Sequence, residues 1–167
     1  MNRRAILRLL GGAAIASALP AARAAGTPLG QLGKPASYWQ PLVEKQAWDV
    51  LFREDTEHAF SSPLNDEHRA GSFVCAACYQ PLFKSEMKFN SGTGWPSFFT
   101  TLPGAVATKT DRVLIIETRT EYHCSRCGGH QGHVFDDGPH PTGKRYCNNG
   151  VALRFVPAGE ALPALRG

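Results

Sequence analysis

Outside its first 24 residues, the sequence has no excess of charge of either sign. The chain of 167 residues has 18 Lys and Arg residues against 14 Asp and Glu residues, and four of the arginines lie within residues 1–24. The rest of the chain therefore has 14 basic and 14 acidic residues. Proteins that bind nucleic acid need a basic surface for its phosphates. The charge balance predicts that nucleic acid is not a partner.

The amino terminus lacks an apolar run long enough to cross a membrane. Its run from Leu9 to Leu19 is too short for a spanning helix. The run follows Arg3-Arg4, and Ala22-Arg23-Ala24 has small residues at the spacing of a signal-peptidase site. Paired arginines before an apolar run are typical of twin-arginine export. We expect residues 1–24 to be a cleaved signal that engages the export machinery and directs the protein to the periplasm. A retained anchor is the alternative.

Repeats and low-complexity segments are also absent, and the length suits one domain with a core. Glycine and proline in residues 25–37 predict a linker, which leaves residues 38–167 as the domain. Apolar residues at helical spacing predict a helix from Pro41 to about Phe52. The apolar, β-branched segment Val113–Thr118 predicts a buried strand.

Cysteine is scarce, and four of the five cysteines lie in two Cys-x-x-Cys turns. The turns contribute Cys75 with Cys78, and Cys124 with Cys127. Four thiolates on two turns suit tetrahedral zinc, and a site with no free position would be structural. Two other interpretations remain, which are a redox-active pair and disulfides in an exported protein.

The fifth cysteine, Cys147, lies in a segment that predicts a strand. Alternation in a strand would place Arg145, Cys147 and Asn149 on one face. A neighbouring guanidinium favours the thiolate, which is the nucleophilic form of cysteine. A buried, unreactive cysteine is the alternative.

Two further segments contain residues of possible chemical use. The turn before Phe98 contains Trp95, and its aromatic side chains could form either core or the wall of an apolar pocket. His130 and His133 follow the second cysteine turn and could bind metal, stabilise a turn or act as acids.

Taken together, these motifs resemble the B-type peptide-methionine sulfoxide reductases, the family that reduces the R epimer of methionine sulfoxide. The resemblance runs from about Trp48 to Phe155. Its motifs are the two Cys-x-x-Cys turns, Lys88-Phe-Asn-Ser-Gly-Thr-Gly-Trp-Pro-Ser-Phe98, His130-x-Gly-His-Val-Phe135 and Gly143-Lys-Arg-Tyr-Cys-x-Asn149.

The resemblance implies a mainly β fold of two antiparallel sheets, a sandwich or tent, with short amino-terminal helices and a structural zinc site. It implies a nucleophilic Cys147 and a polar side of the site formed by His130, His133, Arg145 and Asn149. Trp95, Phe98 and Phe135 would hold the methyl group of the substrate. The implied partners are proteins or peptides that contain methionine sulfoxide and a thioredoxin-like or other thiol reductant, with the enzyme acting as a monomer.

The sequence departs from many members of that family at Thr93, where they have a resolving cysteine. Cys147 is the only cysteine left if the other four bind zinc. A sulfenic acid at Cys147 would therefore be reduced directly by an external thiol. Two other functions remain open, which are a zinc-stabilised binding module without turnover and a thiol-disulfide oxidoreductase that uses Cys75 and Cys78.

Overall fold

The structure, a computed structural model, describes residues 30–113 and 117–167. The predicted signal peptide and residues 25–29 of the predicted linker lie outside the described residues. Within the described ranges, no helix is both long enough and apolar enough to span a bilayer.

Two antiparallel sheets make up most of the fold. The smaller sheet has the strand order β2-β1-β9, and the larger has the order β3-β4-β8-β7-β6-β5. The strands are β1 (Gly71–Cys75), β2 (Pro81–Lys84), β3 (Lys88–Phe89), β4 (Ser97–Phe98), β5 (Val106–Val113), β6 (Glu117–Cys124), β7 (His130–Phe135), β8 (Arg145–Asn148) and β9 (Leu153–Pro157). The prediction of a mainly β fold with two antiparallel sheets is confirmed.

Short helices precede the sheets, as predicted. They are α1 (Ala36–Trp39) and α2 (Lys45–Arg53), with single 3-10 turns at Gln40–Leu42 and Pro63–Asp66. Two further 3-10 turns, at Ser85–Met87 and Gly150–Ala152, lie between strands. The helix predicted from Pro41 begins later, because the backbone is extended at Val43 and Glu44. Helix α2 then buries Ala47, Val50 and Leu51, whose spacing of three and four residues places them on one face.

An aromatic cluster joins the two sheets. Phe73 and Phe83 come from the smaller sheet, and Phe98 and Tyr122 come from the larger one. Phe98 stacks on Phe83 with ring centroids 4.0 Å apart and meets Phe73 edge-on at 5.1 Å. All four rings are fully buried. Each buried ring stabilises the fold by about 1.5–3 kcal/mol, so this cluster fixes one sheet on the other.

The turn Ser85–Met87 connects β2 to β3 and contains the one methionine among the described residues. The Met87 side chain is half-buried against the core. Its sulfur lies 3.4 Å from the Lys84 backbone nitrogen, and its carbonyl accepts a hydrogen bond from the Phe99 N–H at 2.9 Å. Met87 thus helps to hold the β3–β4 hairpin on the smaller sheet.

Two local predictions differ from the structure. The predicted linker is bound to the domain at residues 31 and 32, because the Gln31 and Leu32 N–H groups donate to Ser125 and Arg126 carbonyls at 3.0 and 2.9 Å and Leu32 packs against the core. The prediction of one strand over residues 113–118 is wrong. Val113 on β5 pairs antiparallel with Glu117 on β6, so the chain reverses between them. Residues 114–116 of that segment lie outside the described part.

Candidate active site

The larger sheet places a row of polar residues on one face. Cys147 of β8 pairs with Ser97 of β4 on one side and with His133 of β7 on the other, and His133 pairs with Glu121 of β6. Directly paired residues share a face, and so do residues two apart along a strand. Arg145, Phe135 and Arg119 therefore belong to the same face as Cys147.

Cys147 is half-buried in a cavity of about 140 Å³ on this face. The lining residues are Thr56, Trp95, Arg119, Gly132, His133, Phe135, Cys147, Asn148 and Asn149. This volume is well below the roughly 300 Å³ or more of a typical small-molecule pocket. The cavity therefore admits the end of a side chain rather than a whole cofactor.

The aromatic side chains of the cavity are held in place by neighbours. The indole N–H of Trp95 donates to the Glu57 carbonyl at 2.9 Å, and the Arg145 guanidinium lies 4.3 Å from the centre of the Phe135 ring. Two hydrogen bonds of 2.8 Å from Arg145 to Asp137 fix that guanidinium. The cavity thus has a preformed apolar part beside the thiol.

A cross-strand network supports His133. Asp111 Oδ2 lies 3.0 Å from His133 Nε2 and accepts a hydrogen bond from Arg119 at 2.9 Å. These bonds, first from His133 and then from Arg119, lower the pKa of Asp111. Burial lowers the pKa of His133, although the Asp111 carboxylate opposes this. His133 is therefore neutral at pH 7, and the Asp111 carboxylate favours the tautomer with a proton on Nε2.

Burial also raises the pKa of Cys147, against the opposing effects of the Arg145 guanidinium and the Thr93 hydroxyl. The sequence correctly indicated that Arg145 favours the thiolate. Desolvation of the charged sulfur is the larger effect, and it favours the thiol. At neutral pH the resting site holds a thiol and a neutral imidazole.

The four remaining cysteines form a separate, fully buried cluster. Their sulfur atoms all lie within 4.8 Å of one another, with Cys75–Cys127 at 3.6 Å and Cys78–Cys124 at 3.5 Å. Zinc–sulfur bonds of about 2.3 Å in a tetrahedron give sulfur separations of about 3.8 Å, whereas a disulfide is about 2.05 Å long. The cluster therefore fits a closed four-thiolate metal site. Complete burial also disfavours the alternative of a redox-active pair, which must be accessible to its partner.

Comparison with known proteins places this site in a family. A family model described as the SelR domain matches residues 43–157. A "Peptide methionine sulfoxide reductase MsrB" of Methanosarcina barkeri is 45% identical over 128 residues, 73% of this chain and 86% of that protein. The MsrB of Thiobacillus denitrificans is 46% identical over 125 residues, 74% of this chain and 94% of that protein. The chain belongs to the MsrB family.

The residues matched to the MsrB motifs do not all reach the cavity. Cys147, His133, Asn149, Trp95 and Phe135 line it together. The side-chain amide of Asn149 is nevertheless hydrogen-bonded to the main chain. Its Oδ1 accepts from the Glu57 N–H at 3.0 Å, and its Nδ2 donates to the Gln131 carbonyl at 3.1 Å. Asn149 thus holds the wall of the cavity. Arg145 does not line the cavity, and its guanidinium lies against the Phe135 ring.

Two of the predicted site residues lie elsewhere. Phe98 pairs with Tyr146 and points to the opposite face from Cys147, where it is fully buried. The prediction that Phe98 contacts the methyl group is therefore wrong. His130 is buried with Nδ1 2.9 Å from Glu121 and its ring centre 5.5 Å from that of His133, and it does not line the cavity.

The sequence interpretation missed Thr56, Arg119 and Asp111. Arg119 and Asp111 are directly opposite each other on β6 and β5. In Arg119-Thr120-Glu121 the charged residues are two positions apart, a spacing that indicates a strand with one charged face. Thr56 lies in a loop, for which the sequence contained no comparable signal.

Proposed function

We propose that this MsrB-family chain reduces the R epimer of methionine sulfoxide in proteins or peptides, with Cys147 as the nucleophile. The supporting observation is the position of the half-buried thiol, in a cavity lined by Trp95 and Phe135 as well as by His133. A sulfoxide sulfur bears an apolar methyl group and a polar oxygen. Only one epimer can direct both groups to matching parts of the cavity while its sulfur faces Cys147.

The reaction requires one proton, which the Cys147 thiol supplies. The Cys147 sulfur attacks the substrate sulfur and forms a transient sulfur–sulfur bond. That bond and the sulfur–oxygen bond of the sulfoxide then break as the oxygen becomes bonded to the Cys147 sulfur. The products are methionine and a sulfenic acid at Cys147. The substrate sulfur is reduced by two electrons, the cysteine sulfur is oxidised by two, and the thiol proton becomes the sulfenic acid proton.

Proton movement is assigned to His133 rather than His130, because His133 lines the cavity. In its neutral form, His133 presents Nε2–H to Asp111 and keeps a lone pair on Nδ1. That lone pair can accept the Cys147 proton as the sulfur attacks, and the imidazolium can return it to the departing oxygen. Asp111 stabilises the transient positive charge.

An external donor completes the cycle. Two thiols, such as those of a thioredoxin-like protein, convert the sulfenic acid to a thiol and water and leave the donor as a disulfide. No other described cysteine lines the cavity of Cys147, and the four cluster cysteines are fully buried. Zinc held by those four would supply structural support and no chemistry, because its ligand shell is closed.

A stereospecific assay tests the proposal. Purified protein with dithiothreitol is expected to reduce the R epimer of a methionine sulfoxide peptide with kcat/KM at least about 100-fold above that for the S epimer. Cys147→Ser should be inactive on both, and Phe98→Leu should retain the preference because Phe98 lies in the core. Equal rates on the two epimers would contradict the stereochemical proposal, and no turnover of either would contradict the enzymatic one.

We also propose that residues 1–24 direct the folded protein to the periplasm, where it repairs oxidised exported proteins. Twin-arginine export depends on the paired arginines, so Arg3→Lys with Arg4→Lys should retain the precursor in the cytoplasm. Arg8→Lys is the matched control and should be exported. Fractionation and immunoblotting give the result, and normal export of the double variant would refute the twin-arginine assignment.

A further inference from the structure

Phe60 is held in an unusual conformation at the surface. Its side chain is 75% exposed, the most exposed large apolar side chain among residues 30–111 and 119–167. Its backbone has φ of 64°, a region that bulky side chains rarely adopt. The Phe60 N–H donates to the Gly94 carbonyl at 2.7 Å, and that oxygen also accepts from Asn65 Nδ2 at 2.9 Å. Strain and exposure at an aromatic residue held in this way indicate a functional contact.

A second cavity, of about 210 Å³, lies beside this ring. Its apolar lining comes from Phe60, Phe89, Trp95 and Pro96, and its polar lining comes from the amides of Asn65 and Asn90 and from the ionisable side chains of Asp66, His68 and Lys88. Trp95 also lines the cavity of Cys147, so the two cavities are neighbours across one residue. The volume suits one side chain, and the amides suit the polar groups of an extended backbone.

One loop connects the two cavities. Thr56 lines the cavity of Cys147, Glu57 accepts the hydrogen bond from the Trp95 indole, and Phe60 lines the second cavity. The Phe60 ring rests against the backbone of Gly94, where an added Cβ would lie 2.8 Å from a ring carbon. The loop therefore fixes both Trp95 and Phe60 relative to Cys147.

We propose that Phe60 and the cavity beside it bind the polypeptide next to the methionine sulfoxide residue. This inference rests on the proposed function, because it requires the sulfoxide to occupy the cavity of Cys147. Successive residues of an extended chain are about 3.3–3.6 Å apart, so a neighbour of the reacting residue reaches across Trp95. Its side chain covers the exposed Phe60 ring, and its backbone meets Asn65 and Asn90. Because Trp95 lines both cavities, a chain whose sulfoxide occupies the cavity of Cys147 lies next to Phe60, so the substrate is the favoured occupant.

The test compares a peptide with a single residue. One substrate is a seven-residue peptide with methionine sulfoxide at its centre and apolar neighbours, and the other is N-acetyl-methionine sulfoxide N-methylamide. Phe60→Ala is expected to lower kcat/KM for the peptide about tenfold, because the apolar contact is lost, and to change that for the single residue by less than about twofold. Phe60→Gly should give the same ratio while relieving the positive φ, and Phe60→Tyr should restore peptide activity.

Leu165→Ala is the matched control, since Leu165 is 53% exposed and lines neither cavity. It should leave both substrates unaffected. An equal loss on both substrates, or no loss on the peptide, would overturn the proposal. A higher KM for a thioredoxin-like donor with unchanged peptide kcat/KM would overturn it in favour of donor binding. If the wild type reduces neither substrate, the proposed function fails as well.

Discussion

One dimedone adduct, located at Cys147, is expected when the protein is treated with a stoichiometric pulse of methionine sulfoxide in the absence of a thiol donor. The sulfenic acid has no cysteine beside it, because the other four cysteines are fully buried in the cluster. A sulfenic acid without a resolving thiol persists long enough to be trapped. Mass spectrometry should find close to one adduct per chain.

Thr93→Cys is expected to remove that adduct and replace it with a disulfide to Cys147. Thr93 Oγ1 lies 2.8 Å from Ser91 Oγ, which lies 2.8 Å from the hydroxyl of Ser97, the β4 residue that pairs with Cys147. We therefore expect a sulfur at position 93 to come within bridging distance of the sulfenic acid. Thr108→Cys is the control, because Thr108 is exposed on β5 at the far edge of the larger sheet. A wild-type disulfide from Cys147 to a cluster cysteine, formed at the rate of turnover, would disprove the single-thiol mechanism.

Loss of a cluster cysteine is expected to release the metal and destabilise the fold together. Cys75 ends β1 of the smaller sheet, and Cys124 ends β6 of the larger one. A metal held by both turns therefore joins the two sheets. Cys75→Ser or Cys124→Ser should lower the free energy of unfolding by an amount on the order of 5 kcal/mol.

Urea denaturation and elemental analysis of the same samples measure both effects. Cys147→Ser is the matched control, since it removes a cysteine outside the cluster and should retain both metal and stability. The analysis also identifies the ion, which we propose to be zinc. Less than half an equivalent of metal in the folded wild-type protein would contradict a structural metal site.

Local patterns predicted those parts of the site that depend on local geometry. Two cysteines three residues apart require a tight turn, and alternation along β8 determines which residues share the face of Cys147. Tyr146, on the other face, accordingly packs against Tyr122 with ring centres 5.2 Å apart. These features depend on contacts within a few residues and are visible in the sequence.

Features that depend on strand pairing or burial could not be predicted in the same way. Asp111 meets Arg119 only because β5 pairs with β6, and a run of apolar residues obscured the reversal between those strands. The raised pKa of Cys147 follows from the protein that surrounds it, which no neighbour in sequence indicates. The position of Phe98 on the face opposite Cys147 follows from the register of β4 against β8, which is set by the whole sheet.

Met87 is a site at which the protein itself could be oxidised. A chain that repairs oxidised methionine carries two methionines, Met1 and Met87, and Met1 falls within the segment proposed to be removed. Met87 is half-buried, with its sulfur against the Lys84 N–H. Oxidation would place a polar oxygen at the edge of the core. After removal of the signal, Met87 would be the single methionine of the protein. Its oxidation would make the protein a substrate for another copy of the same enzyme.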